Sequence, residues 1–162
     1  VDALQPDLIN KLKRGEAEVY LSSDCFREYE GGKVLHNGKK TFLADIVIQA
    51  VPAYNILHKR ENGEPFHPKG AGNGYVITFG EKRLYVAGDT EFIPEMSDLA
   101  GVDAVFLPAN LPYTMTSKMF IQAVGVLKPQ RVYPYHYRFG TSIVHEIIPI
   151  LRERKIDVRI PE

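Results

Sequence analysis

Between residues 45 and 90 apolar runs alternate with turn-forming residues. Asp45 to Ala53 reads Asp-Ile-Val-Ile-Gln-Ala-Val-Pro-Ala and is strand-like until Pro52. Tyr75 to Phe79 and Leu84 to Ala87 are two further short apolar runs, and the turn Phe79-Gly80-Glu81-Lys82 joins them as antiparallel strands. Past residue 90, Phe92 to Met96 predicts a short turn of helix and Val102 to Leu107 a strand. Thr116 can cap a helix over 117–127, where Phe120, Ile121, Val124 and Leu127 fall on one face. Lys128-Pro129 leads into a strand from Arg131 to Tyr135, and a last helix over about 142–154 precedes a strand at 157–160. Pro149 should kink or split that helix.

The first forty residues are less regular. Leu8, Ile9 and Leu12 have helical spacing before Gly15, and Glu18 to Leu21 reads as a short strand. Glu28 to Lys40 is polar and rich in turn signals, with Gly31-Gly32 and Asn37-Gly38, so His36 reads as an exposed loop residue. The mixture predicts an α/β (α+β) fold in a single domain spanning 1–162.

Composition narrows the function classes. Of 162 residues, 44% are hydrophobic, enough for one packed core, and 20 basic residues balance 20 acidic ones, so no net field draws the chain to nucleic acid or to an anionic membrane. Cys25 is the single cysteine, which excludes an internal disulfide and a cysteine-rich zinc site and suits a reducing compartment. No apolar run approaches the roughly 20 residues of a membrane span, and the N-terminus lacks a signal-peptide pattern, so a cytoplasmic location is expected.

The candidate chemistry sits at strand ends. Gly88 lets the backbone turn after the 84–87 run, and Asp89 follows it; His136 stands at the end of the 131–135 run. A third strand delivers Tyr54-Asn55, followed by a polar excursion from Leu57 to Asn73 that holds His58 and His67. A loop of that length in a compact domain is usually functional or disordered. Its closing Gly70-Ala71-Gly72-Asn73-Gly74 leads into a strand and not a helix N-terminus, so it predicts a turn near the site and no phosphate cradle. Polar residues gathered at one end of a sheet point to one cleft, and imidazole with carboxylate suits zinc, manganese or iron. Each residue taken singly also has an ordinary reading, as a capping acid or a packed or loop histidine.

Several motifs together resemble the metallo-β-lactamase superfamily, in the branch of small metal-dependent hydrolases related to ascorbate-6-phosphate lactonases and N-acylphosphatidylethanolamine phospholipases. They are Ala-Val-Pro-Ala-Tyr-Asn at 50–55, Phe-His-Pro-Lys with Gly-Asn-Gly-Tyr-Val-Ile across 66–77, Tyr-Val-Ala-Gly-Asp-Thr at 85–90, Ile-Pro-Glu-Met at 93–96, Leu-Pro-Tyr-Thr-Met at 111–115 and Tyr-Pro-Tyr-His-Tyr at 133–137. The resemblance implies an αββα sandwich, with Asp89 similar to the carboxylate that bridges two metals and His136 similar to the last histidine ligand. Where many relatives carry a histidine, position 55 is Asn, so that ligand is absent, is supplied by Asn55, or is replaced by His67, the reading favoured here. The family's His-x-His-x-Asp-His signature should precede Leu4-Gln5-Pro6; Asp2 aligns with its acid and Ala3 with its last histidine, so the sandwich is expected to be incomplete at the N-terminus. Apolar area on Ile46, Ile48, Val76 or Leu84 would then be exposed or covered by another chain, with a homo-oligomer among the expected states.

In intact relatives two metals roughly 3.5–4 Å apart share a hydroxide that attacks an ester, lactone, amide or phosphodiester. The expectation is therefore a metal-dependent hydrolase of a small-molecule substrate, using one or two divalent ions, zinc foremost and manganese or iron as alternatives. Asp89 and His136 are its catalytic candidates, and Asp2, His67, Asp89 and His136 its metal-ligand candidates. Tyr113 or Lys69 could touch substrate. Two alternatives stay open: an inactive binding or structural module on the same fold, which Ala3 and Asn55 favour, and a nuclease, which the balanced charge disfavours.

Overall fold

A computed structural model describes residues 4–138 and 142–160. Its main feature is a seven-stranded sheet made of β3 (Lys40–Leu43), β4 (Ile46–Ala53), β5 (Gly72–Phe79), β6 (Lys82–Val86), β7 (Ala104–Pro108), β8 (Arg131–Tyr135) and β9 (Asp157–Val158), which lie side by side in chain order. Strands β3 to β6 are antiparallel neighbours and β6 to β9 parallel ones. Before this sheet come α1 (Pro6–Leu12), the two-residue strands β1 (Tyr20–Leu21) and β2 (Lys33–Val34), paired in parallel, and the single turn α2 (Ser23–Phe26). Parallel strands need a crossover. These are a 3-10 turn (Pro94–Leu99), α3 (Ser117–Leu127) and α4 (Ser142–Glu153).

Strand periodicity decides which side the helices cover. Val76, Tyr85, Val105, Val132 and Val158 stand opposite one another across five strands. All five are at most 7% exposed and share one core cluster with Phe120, Val124 and Leu127 of α3 and Ile147 and Leu151 of α4. Each such side chain contributes roughly 1.5–3 kcal/mol by leaving water. The alternate positions face the other way. There Ile48, Ile77, Leu84 and Ala104 form one row and Tyr75, Val86, Phe106 and Tyr133 another, all half-buried. Phe106 and Tyr133 stack with ring centroids 4.5 Å apart. At its edge Leu43 and Phe79 are 44% and 48% exposed. The sheet thus carries a packed helical layer on one face and a half-exposed apolar surface on the other. Val76, expected with Ile46, Ile48 and Leu84 on the open side, belongs instead to the helix-covered row.

Thr116 caps α3 as expected, accepting the Met119 N–H at 3.2 Å, and Lys128 ends the helix in a left-handed conformation. Helix α4 runs through Pro149 as one element and is not split. Strand β3 lies across the end of a stretch read as loop. It is only four residues long, and its hairpin to β4 turns through Ala44 at φ 52° and Asp45, without the Asn-Gly or Asp-Gly pair that would announce it. Strand β5 begins three residues earlier than predicted, because the Gly72-Asn73-Gly74 stretch pairs with Ala53, Pro52 and Val51.

Glycine is required at the turn out of β6. Gly88 has φ 70°, and a Cβ there would lie 2.4 Å from the carbonyl oxygen of Asn73. Gly88→Ala should therefore lower stability by at least about 2 kcal/mol, read as a fall in the urea midpoint; a midpoint equal to the parent would show that the turn tolerates a side chain.

Candidate active site

Strands β6 and β8 flank β7, and each releases a polar residue at its C-terminal end. Asp89 follows Gly88, and His136 follows β8 with its backbone in the left-handed region at φ 53°. A non-glycine residue held there is strained by roughly 1–3 kcal/mol, and here the strain aims the imidazole at Asp89. His136 Nδ1 lies 2.7 Å from Asp89 Oδ1. From the other side His67 brings its Nε2 to 3.7 Å from Asp89 Oδ2. One carboxylate thus stands between two imidazoles, one facing each oxygen. All three line a cleft of about 970 Å³, with Tyr20, Cys25, Arg60, Phe66, Asn110 and Tyr113 among its other walls.

His67 stands on the long excursion, so something must fix it. Asn55, 4% exposed at the end of β4, does so. Its Nδ2 donates to Glu91 Oε1 at 3.2 Å and to the Tyr113 carbonyl at 2.9 Å, and its Oδ1 accepts the His67 backbone N–H at 2.8 Å. The amide orientation follows, since nitrogen faces two acceptors and oxygen faces a donor. His67 Nδ1 lies 2.7 Å from that same oxygen and must therefore carry the proton, which leaves the lone pair of Nε2 facing Asp89. Burial holds the His67 pKa below its ordinary value; Asp89 opposes this, and the Arg60 charge adds to it.

Glu91 was not singled out by sequence reasoning. It is fully buried, and its carboxylate accepts the backbone N–H groups of Ile56, Leu57 and His58 at 2.8, 2.8 and 2.6 Å, besides the Asn55 amide. His58 Nδ1 is 2.6 Å from Oε1 but out of line for a hydrogen bond. Burial alone would raise the Glu91 pKa; the N–H groups of Leu57, His58 and Ile56 and the Asn55 amide outweigh it and hold the pKa below its ordinary value. The signal available in the sequence was an acid set among apolar neighbours, Thr90-Glu91-Phe92-Ile93. Beside it Thr90 Oγ1 accepts the Tyr54 N–H at 3.1 Å, pinning the end of β4 to the end of β6.

Of the residues named for substrate contact, Tyr113 lines the cleft. Lys69 does not; its ammonium donates to Glu95 at 2.7 Å and lies 4.8 Å from the ring centroid of Tyr54, whose hydroxyl donates to the same carboxylate at 2.9 Å. Asp2 and Ala3 lie outside the described residues.

The donors fit a divalent metal in kind, two imidazoles and a carboxylate, but not in number and placement. Among the described residues no group of three or more His, Cys, Asp or Glu is arranged to hold an ion, and Asp89 Oδ1 is engaged by His136. These side chains do not by themselves make a metal centre.

Residues 7–136 match the model of the Beta-lactamase superfamily domain. The chain belongs to this family. A crystal structure from Parabacteroides distasonis ATCC 8503, provisionally named a metal-dependent hydrolase, is 41% identical with a TM-score of 0.88, over 99% of this chain and 71% of that one. Igni18, a metallo hydrolase from Ignicoccus hospitalis, has the same fold with a TM-score of 0.72 at 21% identity, over 96% of this chain and 70% of that one. Among curated relatives, a UPF0173 metal-dependent hydrolase of Desulforamulus reducens is 39% identical over 50% of this chain and 38% of its own length. One from Staphylothermus marinus is 37% identical over 65% of this chain and 43% of its own. The matched part of the chain thus spans about two fifths of these curated relatives.

Two measurements check the network. Glu91→Gln places an NH₂ against backbone donors and should cost about 2–4 kcal/mol. Because the Glu91 pKa is depressed in the fold, its stabilisation is complete above the ordinary carboxylate value of 4.5 and is lost as pH falls through the lower folded value. Acid titrations of stability should accordingly be flatter below about pH 4.5 in the variant than in the parent, and parallel curves would count against the assignment. In ¹⁵N spectra at neutral pH, His67 should read as the Nδ1–H tautomer and lose that preference in Asn55→Leu.

Proposed function

We propose that the full-length protein is a metal-dependent hydrolase of a small molecule, and that this chain supplies Asp89, His136 and His67 to its centre. The observation that carries the reading is the Asp89 carboxylate set between two imidazoles in a cleft at the strand ends. Named relatives that are metal-dependent hydrolases support it. Zinc suits these donors best, with manganese or iron as the alternatives; the bond attacked is an ester, lactone, amide or phosphodiester. Within the chain, Asn55 orients His67, Glu91 fixes the loop that bears it, and the His136 backbone turns its ring toward the carboxylate.

A second reading, a binding or structural module without catalysis, is favoured by the lack of three suitably placed ligands among the described residues. Elemental analysis of the full-length gene product separates the two. On the hydrolase reading, the parent contains metal, Asp89→Ala abolishes it, and His136→Ala reduces it. His67→Ala should weaken metal affinity at least tenfold, whereas unchanged affinity would return His67 to an ordinary loop residue. Full metal content and full hydrolysis of a generic ester or phosphodiester in Asp89→Ala would overturn the assignment of Asp89 to the metal centre. A parent that holds no metal would favour the module.

A further inference from the structure

We propose that the ligand of this cleft carries an oxyanion, phosphate or carboxylate, and that the Arg60 guanidinium is its anchor. The inference takes its substrate from the hydrolase reading, but the anion site stands on Arg60. Among the described residues that line the cleft, Arg60 is the one Lys or Arg, facing a wall that also holds His67, Asp89 and His136. Several cations elsewhere have carboxylate partners: Lys69 lies 2.7 Å from Glu95, Lys82 2.6 Å from Asp103, and Arg131 and Arg159 2.9 and 2.8 Å from Asp157; among the described Lys and Arg residues without one, Arg60 is distinguished by lining this cleft. Arg60 forms no ion pair among the described residues, so a cation in the cleft is left to be met by something else.

The side chain is nevertheless held. Its guanidinium carbon lies 5.3 Å from the ring centroid of Phe66, and its Nη2 donates to the Phe66 carbonyl at 3.4 Å. Phe66 in turn meets the Tyr113 ring edge-on at 4.9 Å, tying the loop to the opposite wall. The backbone is equally fixed, because the Arg60 N–H donates to the Glu64 carbonyl at 2.7 Å, the Gly63 N–H returns to the Arg60 carbonyl at 2.9 Å, and Lys59 and Pro65 pair as an antiparallel bridge. Gly63, at φ 85°, closes this small hairpin.

A guanidinium has five N–H donors, and one backbone bond leaves a donor edge for a planar pair of oxygens. The ring beneath it orients that edge at little further loss of side-chain freedom. The excursion from Leu57 to Asn73 then has two functions, to carry His67 and to present Arg60 to the same cleft. A substrate whose anionic end meets Arg60 would extend its remaining length toward Asp89.

The test uses the full-length protein with Arg60→Gln and Arg60→Lys variants. Arg60 is exposed, so both should fold, and thermal melts verify this. Calorimetric titration with inorganic phosphate and with acetate, after chelation so that no bound ion can take the anion itself, should show binding by the parent. Arg60→Gln should weaken it at least tenfold, with Arg60→Lys between the two. Whichever anion binds more tightly identifies phosphate or carboxylate. In turnover, Arg60→Gln should raise KM at least tenfold for an ester bearing that anion and leave KM for its neutral analogue unchanged. Absence of binding by the parent, or binding unaltered in Arg60→Gln, would overturn the proposal. Failure of every ester, lactone, amide and phosphodiester to react would overturn the hydrolase reading alone, because the anion titration does not depend on turnover.

Discussion

A carboxylate buried without a partner is among the costliest groups a fold can contain. Glu91 is fully buried, and three consecutive backbone N–H groups and one amide converge on it. Those N–H groups belong to the first residues of the long excursion, so the demand of one acid for donors dictates how that loop leaves β4. Asn55 passes the constraint on, with its amide nitrogen on Glu91 and its oxygen on both the backbone and the ring of His67. The position of an imidazole in the cleft is thereby set by a residue that never reaches the cleft.

The sheet supplies the other half of the arrangement. Asp89 stands where antiparallel pairing gives way to parallel pairing, beyond β6, and His136 stands two strands further on. Gly88 and the left-handed His136 backbone re-aim the two side chains after strands that would otherwise alternate them between faces. The site therefore rests on two backbone conformations that most residues avoid, held by a core whose Val76 to Val158 row is packed on the helical side.

Much of this was legible in the residues. Strands β4 to β8 and helices α3 and α4 announced themselves by apolar runs and one-sided spacing, and the Gly-Asp and Tyr-His strand ends marked Asp89 and His136. Strand β3 was hidden because it is short and turns through an alanine, and the start of β5 because Gly72 and Gly74 look like loop. Gly74 is in fact needed in the strand, since a Cβ there would meet the Ala87 carbonyl at 2.7 Å. Val76 was assigned to the wrong face because an apolar run has no visible inside until its neighbours are known. Glu91 and the role of Asn55 were invisible for a related reason. The partners of Glu91 lie more than thirty positions away in sequence, and those of Asn55 lie twelve to fifty-eight away, so no local pattern reports these hydrogen bonds.

The division of the sheet also bears on the order in which the chain assembles. The β5–β6 pair is a tight antiparallel hairpin, whereas β4 reaches β5 only across the long excursion and each parallel pair from β6 onward must wait for a crossover to fold back. Loop-closure entropy favours early formation of that hairpin and delays the pairs with longer connections. Asp89 directly follows the early hairpin, His67 is carried on a long connection, and His136 stands in the late half. Pulse-labelling of amides during refolding should find β5 and β6 protected before β8. The carboxylate would then be in place before the His136 imidazole arrives, and the cleft would close only with the last segments of the chain.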